Sequence, residues 1–467
     1  MKKIFLLLFF LFLTFSYFVY KSIGNDKYPL IQYIKSFIPK EIKSNLKEYL
    51  FSEDHHGNRK KNISLVDRYD LILEKGEINF EKNYEETFTY IDKKFNFIKF
   101  KSEDLKFSKH PEFNAIGTSY LELFKKNLVL VTGHGLLFYT DSDNLKNNNN
   151  VSFKNINSNI KDIIKYKEFY SNSLYGIKDV LIIEDTIYLS FVNQKKEKCW
   201  NTSILKAKMN FKYINFEYFF VPKDCVNEEN DFGKMINSEV GSFWEGQSGG
   251  RLSAFKDDKI LFSTGEFRYQ THAQNKNNFF GKIISIQLNS DIYEIISLGH
   301  RNPQGLYYDD NQNFIISTEH GPSGGDEINI NDLKIEKEKN FGWPISSYGE
   351  HYYPSKKAYK ISPLHKSHLE YGYLEPSKYF TPAIGISQVV EYKIDNQLIY
   401  LIGALGKKIE EGDMSLHMMT LDNNLKIKNY NVWPINDRIR DIISNQKSET
   451  AYLYLESTGS IGILTKN

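Results

Sequence analysis

Short apolar segments that end in glycine or small polar residues recur along this chain. They follow one another at intervals of roughly 55 to 85 residues, and each is long enough for a β-strand. A repeat of this period, with strands and turn residues in between, is typical of a radial array in which each unit packs on its neighbours. The pattern predicts an all-β fold, a six-bladed β-propeller. The segments are Leu128–Gly133, Val180–Asn193, Ile260–Gly265, Phe314–Gly321, Leu398–Gly403 and Ala451–Gly459.

The aromatic content also favours strands. Aromatic residues make up 15% of the chain, with 32 Tyr and 34 Phe, and aromatic side chains prefer strands to helices. A pair of β-sandwiches is the alternative, but it gives no reason for the glycine-terminated strand to recur. In a propeller the strand ends and loops of one face meet over the central axis, so we expect a ligand to bind there.

The first residues have the pattern of an export signal. Lys2 and Lys3 precede an apolar run over residues 4–20, and Lys21 follows it. A positive start before an apolar run is typical of an export signal, and about 17 apolar residues approach the lower limit for a membrane span. Because no small-residue cleavage motif follows, we predict an uncleaved signal anchor over residues 1–21. A cleaved signal peptide is the alternative.

This segment makes the membrane an expected partner and sets the expected location. Positive residues before a span stay in the cytoplasm, so the rest of the chain is expected to be exported. It would lie at the periplasmic face of the inner membrane if anchored, or be periplasmic or secreted if the signal is cleaved. Residues 22–85 combine apolar residues at helical spacing with a polar break, which predicts a helical stalk or linker before a propeller over 86–467.

Two further features bound the partners and the chemistry. Cys199 and Cys225 are the two cysteines of the chain. In an oxidising compartment they could form one disulfide, and the sequence leaves a bridge and two free thiols equally open. The net charge is only +2, which gives no reason to expect nucleic acid as a partner.

Three segments are richer in Gly, Arg, His and acids than a structural loop requires. The third segment, residues 319–329, places glycine and proline carbonyls beside Asp326 and Glu327. Calcium takes six to eight oxygen ligands, including backbone carbonyls, so this loop is a candidate cation site, with a plain turn as the alternative. The second segment, residues 299–306, offers Arg301 and Asn302, which are suited to polarising a carbonyl or binding an anion. An ordinary salt bridge of Arg301 is the alternative. The segments are 247–252, 299–306 and 319–329.

Together these segments resemble the glucose/sorbosone dehydrogenase family, the soluble aldose sugar dehydrogenases that depend on pyrroloquinoline quinone (PQQ). The resemblance rests on three motifs in this order: Arg-Asn-Pro-Gln-Gly-Leu at 301–306, His-Gly-Pro-x-Gly-Gly-Asp-Glu-Ile-Asn at 320–329 and Asn-Phe-Gly-Trp-Pro at 340–344. It is clear from about residue 170 onward and weaker between 86 and 170. The family's six-bladed propeller agrees with the fold expected from the repeats.

The resemblance implies oxidation of the anomeric hydroxyl of a sugar, in which a base takes the proton and a hydride passes to PQQ. Calcium and an arginine polarise the quinone carbonyl in the family. Arg301 matches that arginine and Asn302 its neighbour. Gly321 and Pro322 match the backbone carbonyls that hold calcium, and His320 matches a position beside the cofactor.

The resemblance also implies cationic contacts with the cofactor's carboxylates. Arg438 and Arg440 match the family's arginines for this purpose, the kind of anion recognition that arginine performs well. The resemblance also matches Lys407 to a cofactor lysine, at a register that is off by one position. The substrate is expected to be a small-molecule sugar, and the sequence does not identify the acceptor that takes the electrons onward.

The chain departs from the family where the catalytic histidine is expected. Gln247 stands in its place, and a neutral amide cannot accept the substrate proton as imidazole does. The family's acid at the end of the following strand is replaced by Glu266. The residues that could supply a substitute base are Glu245, Glu266, His272 and His320.

Three hypotheses follow. The first is an active quinoprotein dehydrogenase whose base has moved, since the positions for cation and cofactor remain. The second is a non-catalytic propeller that binds a carbohydrate or a protein after loss of the histidine. The third is a propeller hydrolase of the lactonase type that uses calcium alone; the absence of a clear pair of base and nucleophile counts against it.

Overall fold

The architecture is that of an all-β chain, as predicted from the sequence. The computed structural model describes residue 70 and residues 72–105, 118–228, 243–290, 292–395 and 397–466. The predicted signal anchor over 1–21 lies outside these residues, as does most of the predicted stalk. Among the residues that are described, no helix is long and apolar enough to cross a membrane. The α-helices after residue 118 are short: α1 (Asn144–Asn147), α2 (Ile160–Ile163), α3 (Glu168–Ser171) and α4 (Lys356–Ile361).

Consecutive strands pair antiparallel in successive sets, and most of the pairing is between neighbours along the chain. The first strands are β1 (Glu77–Tyr90), β2 (Lys93–Lys101), β3 (Ser119–Phe124), β4 (Asn127–Thr132), β5 (Leu137–Asp141) and β6 (Asn150–Ser158). The next set is β7 (Ile177–Ile183), β8 (Thr186–Lys196) and β9 (Cys199–Lys208), with β11 (Glu217–Phe220) and β12 (Val226–Asn227) both paired to β9. The two-residue β10 (Tyr213–Ile214) pairs with β6.

Three four-stranded sheets follow, and the last three strands of the chain return to its beginning. The first sheet is β13 (Gly249–Phe255), β14 (Lys259–Thr264), β15 (Lys282–Gln287) and β16 (Tyr293–Leu298). The second is β17 (Pro303–Asp309), β18 (Phe314–Glu319), β19 (Asp326–Asp332) and β20 (Lys378–Phe380). The third is β21 (Ile386–Ile394), β22 (Gln397–Ala404), β23 (Ser415–Leu421) and β24 (Ile427–Pro434). The last strands are β25 (Ile439–Asn445), β26 (Thr450–Leu455) and β27 (Ser460–Lys466).

The chain closes on itself through β2 and β27. These strands pair antiparallel, with Phe97 opposite Leu464 and Ile98 opposite Ile463. β1 lies between β2 and β6, so the first and last strand sets are joined into one ten-stranded sheet. Closure of this kind removes the open edges at which a radial array would otherwise end.

The first strand of each set packs against the first strand of the next. These contacts run from β3 to β7, β13, β17, β21 and β25, and from β25 back to β3. Apolar side chains fill the space between neighbouring sheets, as where Tyr188 and Ile204 meet Ile260 and Phe262. The result is a propeller-like ring, with the starts of the first strands gathered around its centre.

The repeating segments in the sequence fall at equivalent places in this ring. Each of them overlaps the second strand of a set, namely β4, β8, β14, β18, β22 or β26. The boundary of the sheet region differs from the prediction. β1 begins at Glu77, inside the segment 22–85 assigned to a helical linker, because residues 77–81 pair with β6 and residues 81–90 with β2. Pairing with distant strands, rather than local spacing, decides the structure there.

The two cysteines are bonded to each other. Cys199 opens β9 and Cys225 precedes β12, and they form a disulfide across 26 positions of the chain. Because β12 also pairs with the start of β9, the bridge joins two segments that already lie side by side. Of the two possibilities that the sequence left open, the structure has the bridge.

Candidate active site

The candidate site lies where the first strands begin. The 3-10 turn Glu245–Gln247 precedes β13, the loop 299–302 precedes β17, and Arg438 and Arg440 lie at the start of β25. The loop 320–325 joins β18 to β19 on the same side. Neighbouring first strands are in contact around the ring, so these chain segments converge although they are far apart in sequence.

Arg301 is held firmly at this point. Its backbone N–H donates to Glu319 Oε2 at 2.8 Å and its guanidinium Nη1 donates to the carbonyl of His320 at 3.0 Å. The guanidinium carbon lies 5.4 Å from the ring centre of Trp343. The side chain is 4% exposed. A buried cation fixed in this way is suited to polarising an oxygen of a bound molecule.

A series of hydrogen bonds connects Asn302, the residue after Arg301, to Arg440 at the start of β25. Gln304 Nε2 donates to Asn302 Oδ1 at 3.1 Å, and Arg440 Nη1 donates to Gln304 Oε1 at 3.3 Å. On its other side Asn302 Nδ2 donates to the carbonyl of Gly246 at 3.1 Å. The residues matched to one cofactor site therefore lie on one face, together with the loop that carries Gln247.

The loop after β18 completes this face. A cavity beside Arg301 is lined in part by His320, Gly321, Glu327 and Trp343. His320 Nε2 and Trp343 Nε1 are buried, and neither has a hydrogen-bond partner in the described part of the chain. Burial lowers the pKa of His320, and the charges of Arg440 and Arg301 lower it further against the opposing effect of Asp326. Buried polar atoms without partners mark a place for a polar ligand.

The same loop presents backbone oxygens. Gly321 N donates to Asp326 Oδ1 at 3.0 Å, which fixes the turn. Within the described residues no hydrogen bond ends on the carbonyl oxygens of Gly321 or Pro322. Carbonyl oxygens of this kind suit a hard cation such as calcium. The described residues contain no group of three or more His, Cys, Asp or Glu side chains that could hold a metal ion by themselves.

A buried polar network supports Arg301 from behind. His300 Nδ1 lies 3.1 Å from Glu319 Oε1, and Asn329 Nδ2 donates to the same oxygen at 2.7 Å. Burial raises the pKa of Glu319, but the charge of His300 and their hydrogen bond outweigh it, so the net shift is downward. A carboxylate therefore holds the backbone of Arg301, and this support was not anticipated from the sequence.

Arg438 and Arg440 share one carboxylate. Glu456 Oε2 accepts from Arg438 Nε at 3.2 Å and from Arg440 Nη2 at 3.1 Å, while Thr118 Oγ1 donates to Oε1 at 2.6 Å. Burial raises the pKa of Glu456, but the charges of Arg440 and Arg438 outweigh it and lower this pKa to about 2. One carboxylate thus orients two guanidinium groups, and the trio keeps a net positive charge.

Replacing this carboxylate should change the acid stability of the protein. A pKa lowered from 4.5 to about 2 corresponds to about 3 kcal/mol of stability. Because the folded pKa lies below the unfolded one, this stability is present above pH 4.5 and is lost as the pH falls toward 2. We therefore expect Glu456→Gln to be less stable than the wild type at pH 6, by an amount that shrinks on acidification.

Urea unfolding at pH 6, 4 and 3 measures this difference. Glu338→Gln is the matched control, since Glu338 pairs with Lys276 at the surface, where its side chain is 52% exposed, and such pairs contribute little. A difference between Glu456→Gln and the wild type that stays constant from pH 6 to pH 3 would contradict the assignment of Glu456 as a strongly acidic carboxylate.

A model of the glucose/sorbosone dehydrogenase family matches residues 134–465 of this chain, well over half of it. The chain belongs to this family. Aldose sugar dehydrogenase YliI of Escherichia coli (strain K12) is 28% identical over 260 residues, which cover 52% of this chain and 66% of that protein. Quinoprotein glucose dehydrogenase B of Acinetobacter calcoaceticus is 28% identical over 125 residues, 20% of this chain and 25% of that protein.

Solved structures support the same fold. A glucose dehydrogenase crystal structure is 21% identical, with a TM-score of 0.57, over 75% of this chain and 96% of that one. The apo-form of the soluble aldose sugar dehydrogenase of Escherichia coli is 20% identical, with a TM-score of 0.56, over 75% and 96%. The PQQ-bound aldose sugar dehydrogenase of Streptomyces coelicolor is 14% identical, with a TM-score of 0.51, over 75% and 95%. The chain spans about two thirds or less of the length of its relatives in sequence.

Membership of the glucose/sorbosone dehydrogenase family confirms the resemblance seen in the sequence, and the structure shows what became of the family's base position. Gln247 is 2% exposed, and its carbonyl accepts from the backbone N–H of Phe267 at 2.9 Å. Glu266 is fully buried, and its backbone N–H donates to the carbonyl of Arg301 at 3.2 Å. Glu266 lies beside Arg301, and Gln247 follows Gly246, whose carbonyl accepts from Asn302. Neither residue offers an exposed base.

The other residues considered for the base are spread more widely. Glu245 is half-buried; Asn172 Nδ2 donates to it at 3.2 Å, and burial raises its pKa. His272 contacts Asn278 and the ring of Phe280, with none of the site residues among its recorded contacts, and burial lowers its pKa. Glu245 thus lies in the turn that carries Gln247 in this glucose/sorbosone dehydrogenase family member, whereas His272 packs against Asn278 and Phe280.

Lys407, the lysine that the resemblance assigns to the cofactor, does not lie with the other residues assigned to it. Its side chain is exposed, and its recorded contact is a backbone hydrogen bond to Asp413. The carbonyl of Leu405, two residues earlier, is the point of this loop that accepts a hydrogen bond from Arg438. Lys407 lies two positions further along and is exposed, in keeping with the irregular register of this match.

Proposed function

We propose that this protein oxidises the anomeric hydroxyl of an aldose, with PQQ as cofactor and calcium beside it. The observation that carries the proposal is the convergence of Arg301, Asn302, His320 and Arg440 on one face, around a cavity with unpartnered polar atoms. Relatives in sequence and structure include aldose and glucose dehydrogenases, which supports the same activity.

The residues present fit a planar, acidic quinone with a cation. Bound PQQ would supply the quinone carbonyl that accepts the substrate hydride, and calcium would polarise it. Arg301 would direct its guanidinium at an oxygen there, and Gly321 and Pro322 would offer carbonyl oxygens to the cation. Arg438 and Arg440, oriented by Glu456, would bind carboxylates.

We further propose that the ring has six blades and that the chain is exported and tethered. The contacts of β3, β7, β13, β17, β21 and β25 in a closed circle support the blade count. The disulfide between Cys199 and Cys225 fits an oxidising compartment outside the cytoplasm. The apolar run over residues 4–20 supports the tether, with a cleaved signal as the alternative.

Reconstitution of the purified full-length protein tests the activity. With calcium present, we expect PQQ to bind at micromolar concentration or below and its visible absorbance to bleach when an aldose is added. An excess of a chelator with PQQ present gives the metal-free control, which should not bleach. Failure to bind PQQ, together with direct binding of sugar, would overturn the proposal in favour of a non-catalytic carbohydrate-binding propeller.

A further inference from the structure

Lys178 lies against Gly250 at the start of β13, three residues after Gln247. It is the second residue of β7, and β7 packs on β13 of the next sheet. A Cβ added to Gly250 would fall 2.3 Å from Cβ of Lys178 and 2.8 Å from its Cγ. Only a glycine at position 250 leaves room for the stem of this lysine. Its amine is hydrogen-bonded to Leu174 in the 3-10 turn Ser173–Tyr175, and that turn contacts the turn Glu245–Gln247, where the family's catalytic histidine is expected.

Charged groups from three other elements face this amine. Arg440 at the start of β25, Glu245 in the 3-10 turn before β13 and Glu456 after β26 all act on its ionisation. Its Nζ donates to the carbonyl of Leu174 at 2.6 Å, and no second hydrogen bond of this ammonium is recorded among the described residues. Lys178 therefore lies near Arg440, which donates to Gln304 and is connected through it to Asn302.

The surroundings favour the neutral amine. Burial, followed by the charge of Arg440, lowers the pKa of Lys178 to about 7, against the opposing effects of Glu245 and Glu456. The residue still keeps part of its surface open to solvent. A general base works best when its pKa lies near the working pH, and a lysine reaches that range when it is desolvated beside another cation.

We propose that Lys178 is the general base of this enzyme, taking the proton that Gln247 cannot take. The proposal rests on the dehydrogenase function proposed above. The anomeric O–H bond breaks and an N–H bond forms on Nζ; the C–H electron pair leaves as hydride to the bound quinone; and the sugar carbon becomes a carbonyl. The ammonium returns the proton to water through its open side, and an added electron-accepting dye such as phenazine methosulfate reoxidises the cofactor.

Other nearby groups suit this step less well. Glu266 is fully buried, and His272 lies outside the cluster. His320 adjoins the carbonyls proposed for calcium, where a bound cation would oppose its protonation. Glu245 is the remaining competitor, and it is close enough to Lys178 to affect its charge. A comparison of the two residues therefore decides the assignment.

The test compares Lys178→Met and Lys178→Arg with Glu245→Gln and the wild type, all reconstituted with calcium and PQQ. We expect every variant to bind PQQ within about threefold of the wild type, since the proposed cofactor contacts are unchanged. Turnover of an aldose should fall by about 10²- to 10⁴-fold in both Lys178 variants. Wild-type activity should rise with pH through about 7 as the amine loses its proton, and this rise should be absent from both Lys178 variants.

A second measurement does not depend on activity. NMR of the ¹³C-methylated protein should show a lysine signal that titrates near pH 7 and is missing from Lys178→Arg, while the signal of Lys282, whose pKa burial also lowers to about 7, remains in that variant. A wild type that fails to bind PQQ overturns the dehydrogenase function, while the lysine titration can still succeed. A wild type that oxidises sugar while Lys178→Met keeps more than a third of the turnover overturns the role of Lys178. Loss of PQQ binding in Lys178→Met, or loss of the pH rise in Glu245→Gln alone, overturns it too.

Discussion

Arg251→Met is expected to destabilise the protein by about 3 to 5 kcal/mol, the cost of removing one partner from a buried ion network. Arg251 is 2% exposed, and its Nη1 donates to Asp179 at 3.0 Å and to Asp441 at 2.7 Å. Without the guanidinium, both carboxylates would remain buried and uncompensated. Burial already raises the pKa of Asp179 to about 7, with the charge of Asp441 adding to the effect and that of Arg251 opposing it.

The expected loss is large because this arginine connects most of the central strands. Its Nε donates to the carbonyl of Gln304 and its Nη2 to that of Arg440, both at 2.7 Å. The two carboxylates in turn accept backbone N–H groups of Leu252 at 2.8 Å and Leu121 at 2.8 Å. Strands β3, β7, β13, β17 and β25 are thus tied through one side chain.

Urea unfolding of Arg251→Met at pH 7 measures the loss directly. Lys276→Met is the matched control, since it breaks an exposed ion pair and should cost less than about 1 kcal/mol. Adding Asp179→Asn and Asp441→Asn to Arg251→Met should restore part of the stability, because the uncompensated charges are then gone. A loss below about 1 kcal/mol in Arg251→Met would show that the central network is dispensable.

Arg301→Ala should slow aldose oxidation by about 10²- to 10³-fold, the usual effect of removing one preorganised donor from the site of developing charge. The effect depends on the geometry of this arginine, which is clamped between the carbonyl of His320 and the ring of Trp343. Arg301→Lys should recover little, because an ammonium lacks the planar, forked donor set of guanidinium. The expected signature is a fall in turnover that exceeds the weakening of PQQ binding.

Stopped-flow bleaching of the PQQ absorbance after mixing with an aldose separates the two effects. A thermal melt of each variant shows whether it is folded, since the backbone N–H of Arg301 still reaches Glu319 in the alanine variant. Equal rates of bleaching in Arg301→Ala and the wild type would contradict a role for this guanidinium in the reaction. Such a result would leave the fold and the family membership untouched.

Much of the fold was accessible from the sequence because strands and turns repeat. The glycine-terminated segments mark the second strand of each set, where apolar residues face neighbouring sheets on both sides. β1 escaped prediction because most of its residues after Phe80 are exposed or half-buried and polar or charged. Its structure depends on pairing with β2 and β6, which no local pattern reveals.

The candidate site, like the fold, could be predicted from the sequence only in part. Arg301, Asn302 and His320 lie in compact motifs, so the sequence identified them and the structure brings them together. Lys178 and Glu456 stand alone in apolar strands or at their ends, and their roles depend on which distant side chains they meet. A signal was present nevertheless: Lys178, like Asp179 and Asp441, interrupts the apolar start of a strand with a charge. A charge at that position predicts a place near the centre of the ring.

The pairing of β2 with β27 bears on how the chain is made. The partner of β2 is synthesised after every other described strand of the ring, so the ring cannot close until all of them have been made. Contacts between sequence-distant strands form slowly. Until β27 is in place, β26 and β2 each keep an unpaired edge, and an edge of this kind can pair with a strand of another chain.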